Sequence, residues 1–105
     1  MSTMSGAEVV AKALRDQGLA HCFGIVGVPV IELGSCIQQA GIQYYGCRNE
    51  QAASYAAGAV GYMTKLPGIC LSVSGPGMTN CISGLANAWS NKWPMILISG
   101  NVDTY

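Results

Sequence analysis

Hydrophobic positions along the chain follow two patterns that alternate. Segments in which they recur at helical spacing are followed by short stretches that are mostly apolar. Short, mostly apolar stretches predict four strands, at 21–26, 42–46, 69–73 and 95–99, and the first of them is expected to be buried. Segments with helical spacing precede each strand, starting near residue 6 and covering about 30–40, 50–64 and 78–91. Strands that alternate with helices and carry no polar face of their own are typical of a parallel sheet covered on both sides. The sequence therefore predicts an α/β fold with a doubly wound parallel sheet.

Local signals fix several helix ends. Ser5 and Glu8 form a capping box at the start of the first helix, and Asn49 can cap the third. Gly18 and Gly41 stand where helices stop. Side chains predicted to form the apolar stripe of the first helix are Val9, Val10, Ala13 and Leu14, opposite Lys12, Arg15 and Asp16. Trp89 and Trp93 are expected to pack the last helix onto the sheet.

Charged side chains are scarce in this sequence, at 10% of the residues. Five basic and five acidic side chains cancel, so no net field is available to attract nucleic acid or an anionic membrane. Between Gln51 and Asn91 the one charged side chain is Lys65. Such a stretch cannot cover a water-facing surface with charge, which indicates contact with another domain or subunit. Polar residues interrupt every apolar run before the roughly 18 residues that a membrane span needs.

The five cysteines predict neither a metal site nor a disulfide framework. Their number is odd, no two form a C-x-x-C pair, and the chain has one histidine, so the spacing of a zinc site is absent. We therefore expect reduced, mostly buried thiols in an intracellular compartment.

Candidate chemistry is expected at the carboxyl ends of the strands, where open α/β sheets bind ligands. Glu50 falls in the first turn of a helix, directly after a strand. The helix dipole alone would stabilise a carboxylate there by about 0.3–1 kcal/mol. The long uncharged helix that follows favours a second interpretation, a carboxylate in a dry interface that shares a proton with a bound heterocycle.

Two glycine-containing turns join the same edge, at 24–29 and 73–80. The first does not match a dinucleotide-binding pattern, and a plain strand-to-helix turn explains it as well. The second leads through Gly75, Pro76 and Gly77 into a helix and exposes backbone amides to a ligand, although no Walker-type lysine follows. Ser74 is not predicted to be a nucleophile, because the histidine lies on another strand.

Taken together and in this order, the segments 24–30, 48–53, 67–77 and 93–100 are similar to the N-terminal pyrimidine-binding (PYR) domain of thiamine-diphosphate-dependent enzymes. Within that group these motifs most resemble those of the branch that contains 2-hydroxyacyl-CoA lyase and oxalyl-CoA decarboxylase. The likeness covers the chain from about Ser5 to Gly100.

The resemblance implies specific roles. A glutamate matching Glu50 hydrogen-bonds the ring nitrogen of the cofactor's aminopyrimidine and promotes the tautomer that deprotonates the thiazolium carbon. Val28, Pro29, Gly75, Pro76 and Gly77 match segments that line the cofactor pocket, with Val28 near the reacting centre. The implied cofactors are thiamine diphosphate and Mg²⁺, and the metal is held by a diphosphate-binding domain that residues 1–105 do not contain.

The implied reaction is cleavage of a 2-hydroxyacyl-CoA to an aldehyde and formyl-CoA. Alternatives are oxalyl-CoA decarboxylation, an acetolactate-synthase-like carboligation, or a non-catalytic truncated PYR-like chain that acts only through a partner. Residues 1–105 are expected to be a partial PYR domain, inactive alone, that pairs with a second copy or a full-length subunit. The resemblance implies a peroxisomal location, with the cytoplasm as the alternative.

Overall fold

The computed structural model describes residues 3–103, which form one four-stranded sheet with helices on both faces. The elements in chain order are α1 (Gly6–Asp16), β1 (His21–Gly24), a 3₁₀ turn (Val28–Val30), α2 (Ile31–Gln39), β2 (Gln43–Gly46), α3 (Glu50–Thr64), β3 (Gly68–Ser72), α4 (Pro76–Asn91) and β4 (Met95–Ser99). The capping box of α1 is present, since the Ser5 backbone N–H donates to the Glu8 carboxylate at 2.9 Å and the Glu8 N–H donates to the Ser5 hydroxyl at 3.2 Å.

All strand pairs are parallel, and the strands lie in the order β2-β1-β3-β4. Cys22 of β1 stands opposite Tyr44 of β2 on one side and Ile69 of β3 on the other. The predicted α/β fold is therefore confirmed. The chain first winds outward from β1 to β2 and then crosses back to β3, so the winding reverses between β1 and β3.

The core has one cluster on each face of the sheet. Ile69 and Leu71 point from β3 into the cluster under α1 and α2, whereas Cys70 points into the cluster under α3 and α4. Every residue of β3 is buried. The apolar run that predicted this strand is thus explained by helices on both sides of it.

Two packing predictions are wrong. On α1, the residues turned toward the core are Ala7, Ala11 and Leu14, and Val9 and Val10 are 52% and 41% exposed. Small alanines let α1 approach α2 closely, and the larger valines face away. Trp89 is also exposed, at 85%. Only Trp93 packs inward, with its ring centroid 4.9 Å from that of Tyr62 on α3.

The cysteines are unpaired and largely buried, as predicted from their number and spacing. Four thiols are buried, and Cys47 is half-buried. Across residues 3–103, no helix combines the length and apolar content that crossing a bilayer requires.

Candidate functional site

The site candidates meet at the carboxyl edge of the sheet, the edge at which its strands end. At this edge the Ile25 N–H donates to the Leu71 carbonyl at 3.2 Å, which holds the segment after β1 against the end of β3. The Gly100 N–H donates to the Ser72 carbonyl at 3.1 Å and fixes the end of β4 in the same way. The turns that leave β1 and β3 therefore start side by side at the point where the winding reverses.

Glu50 is placed at this edge by the start of α3. Asn49 caps the helix, because its side-chain oxygen accepts a hydrogen bond from the Ala52 N–H at 3.2 Å. Glu50 is the first helical residue and is half-buried. Its position in the first turn lets the dipole of α3 stabilise negative charge on the carboxylate.

The carboxylate of Glu50 lies across the first two turns of α4. The Asn80 side-chain amide donates to Glu50 Oε2 at 3.4 Å. The other oxygen faces Gly77, where an added Cβ would stand 3.5 Å from Oε1. The Cys81 thiol contacts the Glu50 backbone carbonyl at 3.7 Å. The starts of α3 and α4 are thus joined at Glu50.

The turn into α4 needs glycine at two places. Gly75 caps the helix with φ +67°, a left-handed conformation that other residues adopt only with strain. At Gly77 an added Cβ would lie 2.7 Å from Val73 Cγ2. Pro76 occupies the first turn, where its fixed φ favours helix initiation. The predicted segment of Gly75, Pro76 and Gly77 is therefore a rigid loop that places backbone directly beside the carboxylate.

Val28 and Pro29 lie on the neighbouring turn, after β1. Val28 is 90% exposed, although it is an apolar side chain. It lines a groove of about 500 Å³ together with Pro29, Ser74 and residues 101–103. Val28 and Pro29 thus present apolar surface to this groove at the carboxyl edge.

Val73 connects the two turns, although sequence reasoning gave it no role beyond the end of a strand. A Cβ at Gly27 would lie 2.5 Å from Val73 Cγ1, and one at Gly77 would lie 2.7 Å from Cγ2. One methyl group therefore packs on each turn. Among residues 3–103, no hydrogen bond joins Val28 or Pro29 to Glu50, so the predicted site residues form two groups with Val73 between them.

The floor beneath this edge carries buried thiols. Cys70 and Cys81 are wholly buried, with their sulfur atoms 3.6 Å apart. Burial raises the pKa of the Cys70 thiol far above its ordinary value, and the adjoining Cys81 raises it further. Burial likewise raises the pKa of Cys22 to about 12. Of these three thiols, Cys70 and Cys81 lie on the face of the sheet that α3 and α4 cover, and Cys22 lies on the other face.

Comparison with known sequences agrees with this geometry. The family described as thiamine pyrophosphate enzyme, N-terminal TPP binding domain, matches residues 4–105. Thiamine pyrophosphate and thiamine diphosphate are the same compound.

Named relatives share about half of their residues with this chain. It is 54% identical over 98 residues to human 2-hydroxyacyl-CoA lyase 1, which covers 93% of this chain and 17% of the relative. It is 50% identical over 101 residues to Arabidopsis thaliana 2-hydroxyacyl-CoA lyase, and the matched region covers 96% of this chain and 18% of the relative. Oxalyl-CoA decarboxylase of Escherichia coli K12 is 46% identical over 98 residues, and the matched region covers 93% of this chain and 17% of the relative.

The chain spans about a sixth of the length of these relatives. The range of the family match, residues 4–105, extends from before α1 to beyond β4 and includes both turns at the carboxyl edge. The family match confirms the resemblance to thiamine-diphosphate-dependent enzymes that the motifs indicated. The chain belongs to the family of N-terminal TPP-binding domains of thiamine pyrophosphate enzymes.

Proposed function

We propose that this chain is the pyrimidine-binding portion of a thiamine-diphosphate-dependent lyase that cleaves 2-hydroxyacyl-CoA to an aldehyde and formyl-CoA. The observation that carries the proposal is the Glu50 carboxylate, held at the winding reversal between Gly77 and Asn80. The lyase names of relatives at 54% and 50% identity support this choice of reaction.

The residues at the carboxyl edge fit the cofactor's aminopyrimidine ring. A carboxylate is the side chain that can hydrogen-bond a weakly basic ring nitrogen and share its proton. Gly75, Pro76 and Gly77 bring backbone rather than side chains to the same place, which leaves room for a flat ring. Val28 and Pro29 supply an apolar surface on the neighbouring turn. We assign these five residues and Glu50 to cofactor binding, and Glu50 also to catalysis.

Glu50 would act by holding a proton at one ring nitrogen. When bound, thiamine diphosphate supplies a nucleophilic carbon that attacks carbonyl groups. The surroundings of Glu50 suit this role. No charged side chain stands between Gln51 and Tyr62 on α3 to pair permanently with the carboxylate. An unpaired carboxylate can gain and lose a proton over the catalytic cycle, whereas a salt-bridged one is held ionised.

The remaining parts of the site would come from outside these residues. We propose that Mg²⁺ and the diphosphate are held by a second domain, supplied by another copy or by a full-length subunit. The exposed apolar side chains Val28, Tyr55 and Ile82 support such a covering partner. By resemblance to the named lyases, the acyl-CoA is the substrate and the peroxisome is the location.

A second candidate reaction is decarboxylation of oxalyl-CoA, favoured by the relative of that name at 46% identity. Both reactions release formyl-CoA from a CoA thioester, so they use the same product assay. Incubating the intact protein separately with a 2-hydroxyacyl-CoA and with oxalyl-CoA distinguishes them.

The mechanism is tested by Glu50→Gln in the intact protein supplied with thiamine diphosphate and Mg²⁺. Loss of the proton-holding group is expected to lower kcat about 100-fold or more, in the range that general acid–base groups contribute. Glu32→Gln is the matched control, since Glu32 is an exposed glutamate in the first turn of α2. Formyl-CoA production by Glu50→Gln within twofold of the unaltered protein would refute the proposed role.

A further inference from the structure

Asn80 makes a contact that neither the family match nor the motifs explain. Its side-chain amide donates to Glu50 Oε2 at 3.4 Å, across thirty residues of sequence. Within residues 3–103 this is the one side-chain hydrogen bond recorded for either residue. We infer that Asn80 is a positioning residue, which holds the Glu50 carboxylate in the orientation that meets the cofactor ring. This inference rests on the proposed function of Glu50.

The two oxygens of Glu50 have different surroundings. Oε2 has the donor on Asn80, whereas Oε1 faces the Cα of Gly77, which has no side chain. A glutamate side chain has three rotatable bonds, so a carboxylate at a half-open edge samples several positions unless a donor fixes one oxygen. The Asn80 contact fixes one oxygen and leaves lone pairs of the carboxylate free for a ligand.

The neutral character of Asn80 matters as much as its position. A lysine or arginine at this point would pair with the carboxylate and keep it ionised. A carboxamide orients the oxygen without placing a charge beside the carboxylate. Asparagine is also a poorer helix former than alanine, and Asn80 stands on the exposed side of α4, where packing does not demand it.

The test compares Asn80→Ala, Asn80→Gln and Asn91→Ala in the intact protein. Asn91 is the matched control, because it is an exposed asparagine at the other end of α4 that bonds only to Asn87 of its own helix. We expect Asn80→Ala to lower kcat about fivefold, the size of one typical net hydrogen bond. Asn80→Gln keeps the amide donor and should recover activity to within about twofold.

A binding measurement separates positioning from a structural role. Calorimetry gives the dissociation constants of thiamine diphosphate and of an analogue in which a C–H group replaces the ring nitrogen. Asn80→Ala should weaken binding of the cofactor about threefold, the loss that accompanies a misplaced hydrogen-bond partner. Binding of the analogue should stay unchanged, because it makes no bond to Glu50.

The outcomes distinguish this inference from the proposed function. If Glu50→Gln is inactive while Asn80→Ala matches Asn91→Ala in both kcat and cofactor binding, the positioning role is wrong and the proposed function stands. Equal weakening of cofactor and analogue would mean that Asn80 only supports the fold, which also overturns the inference. If Glu50→Gln is fully active, the proposed function fails and the role of Asn80 fails with it. In the Glu50→Gln background, Asn80→Ala should cause no further loss.

Discussion

The five cysteine side chains differ in how far they are exposed to solvent. Cys22, Cys70 and Cys81 are wholly buried, and Cys36 is 8% exposed. Cys47, which follows β2, is half-buried. The thiolate is the form that reacts with alkylating agents, and burial in apolar surroundings disfavours it.

We therefore expect iodoacetamide at pH 8 to alkylate Cys47 first in the folded chain. Peptide mass spectrometry with fragmentation assigns the modified sulfur atoms, and the same reaction in urea should modify all five cysteines. Rapid labelling of Cys70 or Cys81 in the folded chain would show that α4 separates from β3, which contradicts the burial of both thiols between them.

The residue scale also shows where sequence reasoning stops. Glu50 could be predicted, because its place after a strand and at a helix start is a local property of the chain. Asn80 and Val73 could not be given roles, since each acts on a residue that is distant in sequence. The contact between Asn80 and Glu50 exists only because α3 and α4 pack side by side.

At the scale of elements, small residues set the distance between α3 and α4. A Cβ added at Gly84 would lie 2.0 Å from Ser54 Oγ and 2.6 Å from the Ser54 backbone carbon. Ser54 is fully buried, and its hydroxyl donates to the Gln51 carbonyl at 2.8 Å, so it cannot turn away freely. The two helices must move apart if this glycine gains a side chain.

Gly84→Ala is accordingly expected to lower the free energy of unfolding by about 1–3 kcal/mol, the usual cost of overpacking a core. Urea unfolding followed by circular dichroism measures the change. Gly6→Ala is the control, because an added Cβ there meets nothing within 4 Å. Equal midpoints for the two variants would show that the interface between α3 and α4 is looser than described.

The ends of helices and strands were predicted correctly where a local sequence signal marks them. The bounds of α3 and β4 are those predicted, because a cap, a proline or a glycine marks each end. β1 is shorter than predicted and ends at Gly24. The face of α1 was wrong, because valines and alanines give similar periodic patterns and only the partner helix decides which stripe is buried.

At the scale of the whole molecule, the order of the strands gives the site its location. The sequence predicted a parallel sheet from alternating elements, but the arrangement β2-β1-β3-β4 depends on pairing between distant segments. That order places the reversal of winding between β1 and β3 and so joins the turns that carry Gly27 and Gly77. The two groups of site residues are adjacent for this reason.

The buried thiols also link the stability of the whole molecule to pH. The pKa of Cys22 rises from 9.0 to about 12 on folding because of burial, and that of Cys70 is raised in the same direction. Above pH 9 the unfolded chain therefore releases protons that the folded chain retains. Since the unfolded state then binds fewer protons, the free energy of unfolding falls as the pH rises.

The stability supplied by Cys22 should be fully present below pH 9 and be lost between pH 9 and about 12. One thiol can change the free energy of unfolding by at most about 1.4 kcal/mol per pH unit. Urea midpoints measured from pH 8 to 11 with a reductant test this dependence. Cys22→Ala should start less stable, because it removes a buried side chain, but should lose stability less steeply with pH. An unaltered slope in this variant would mean that Cys22 ionises as easily in the folded chain as in the unfolded one.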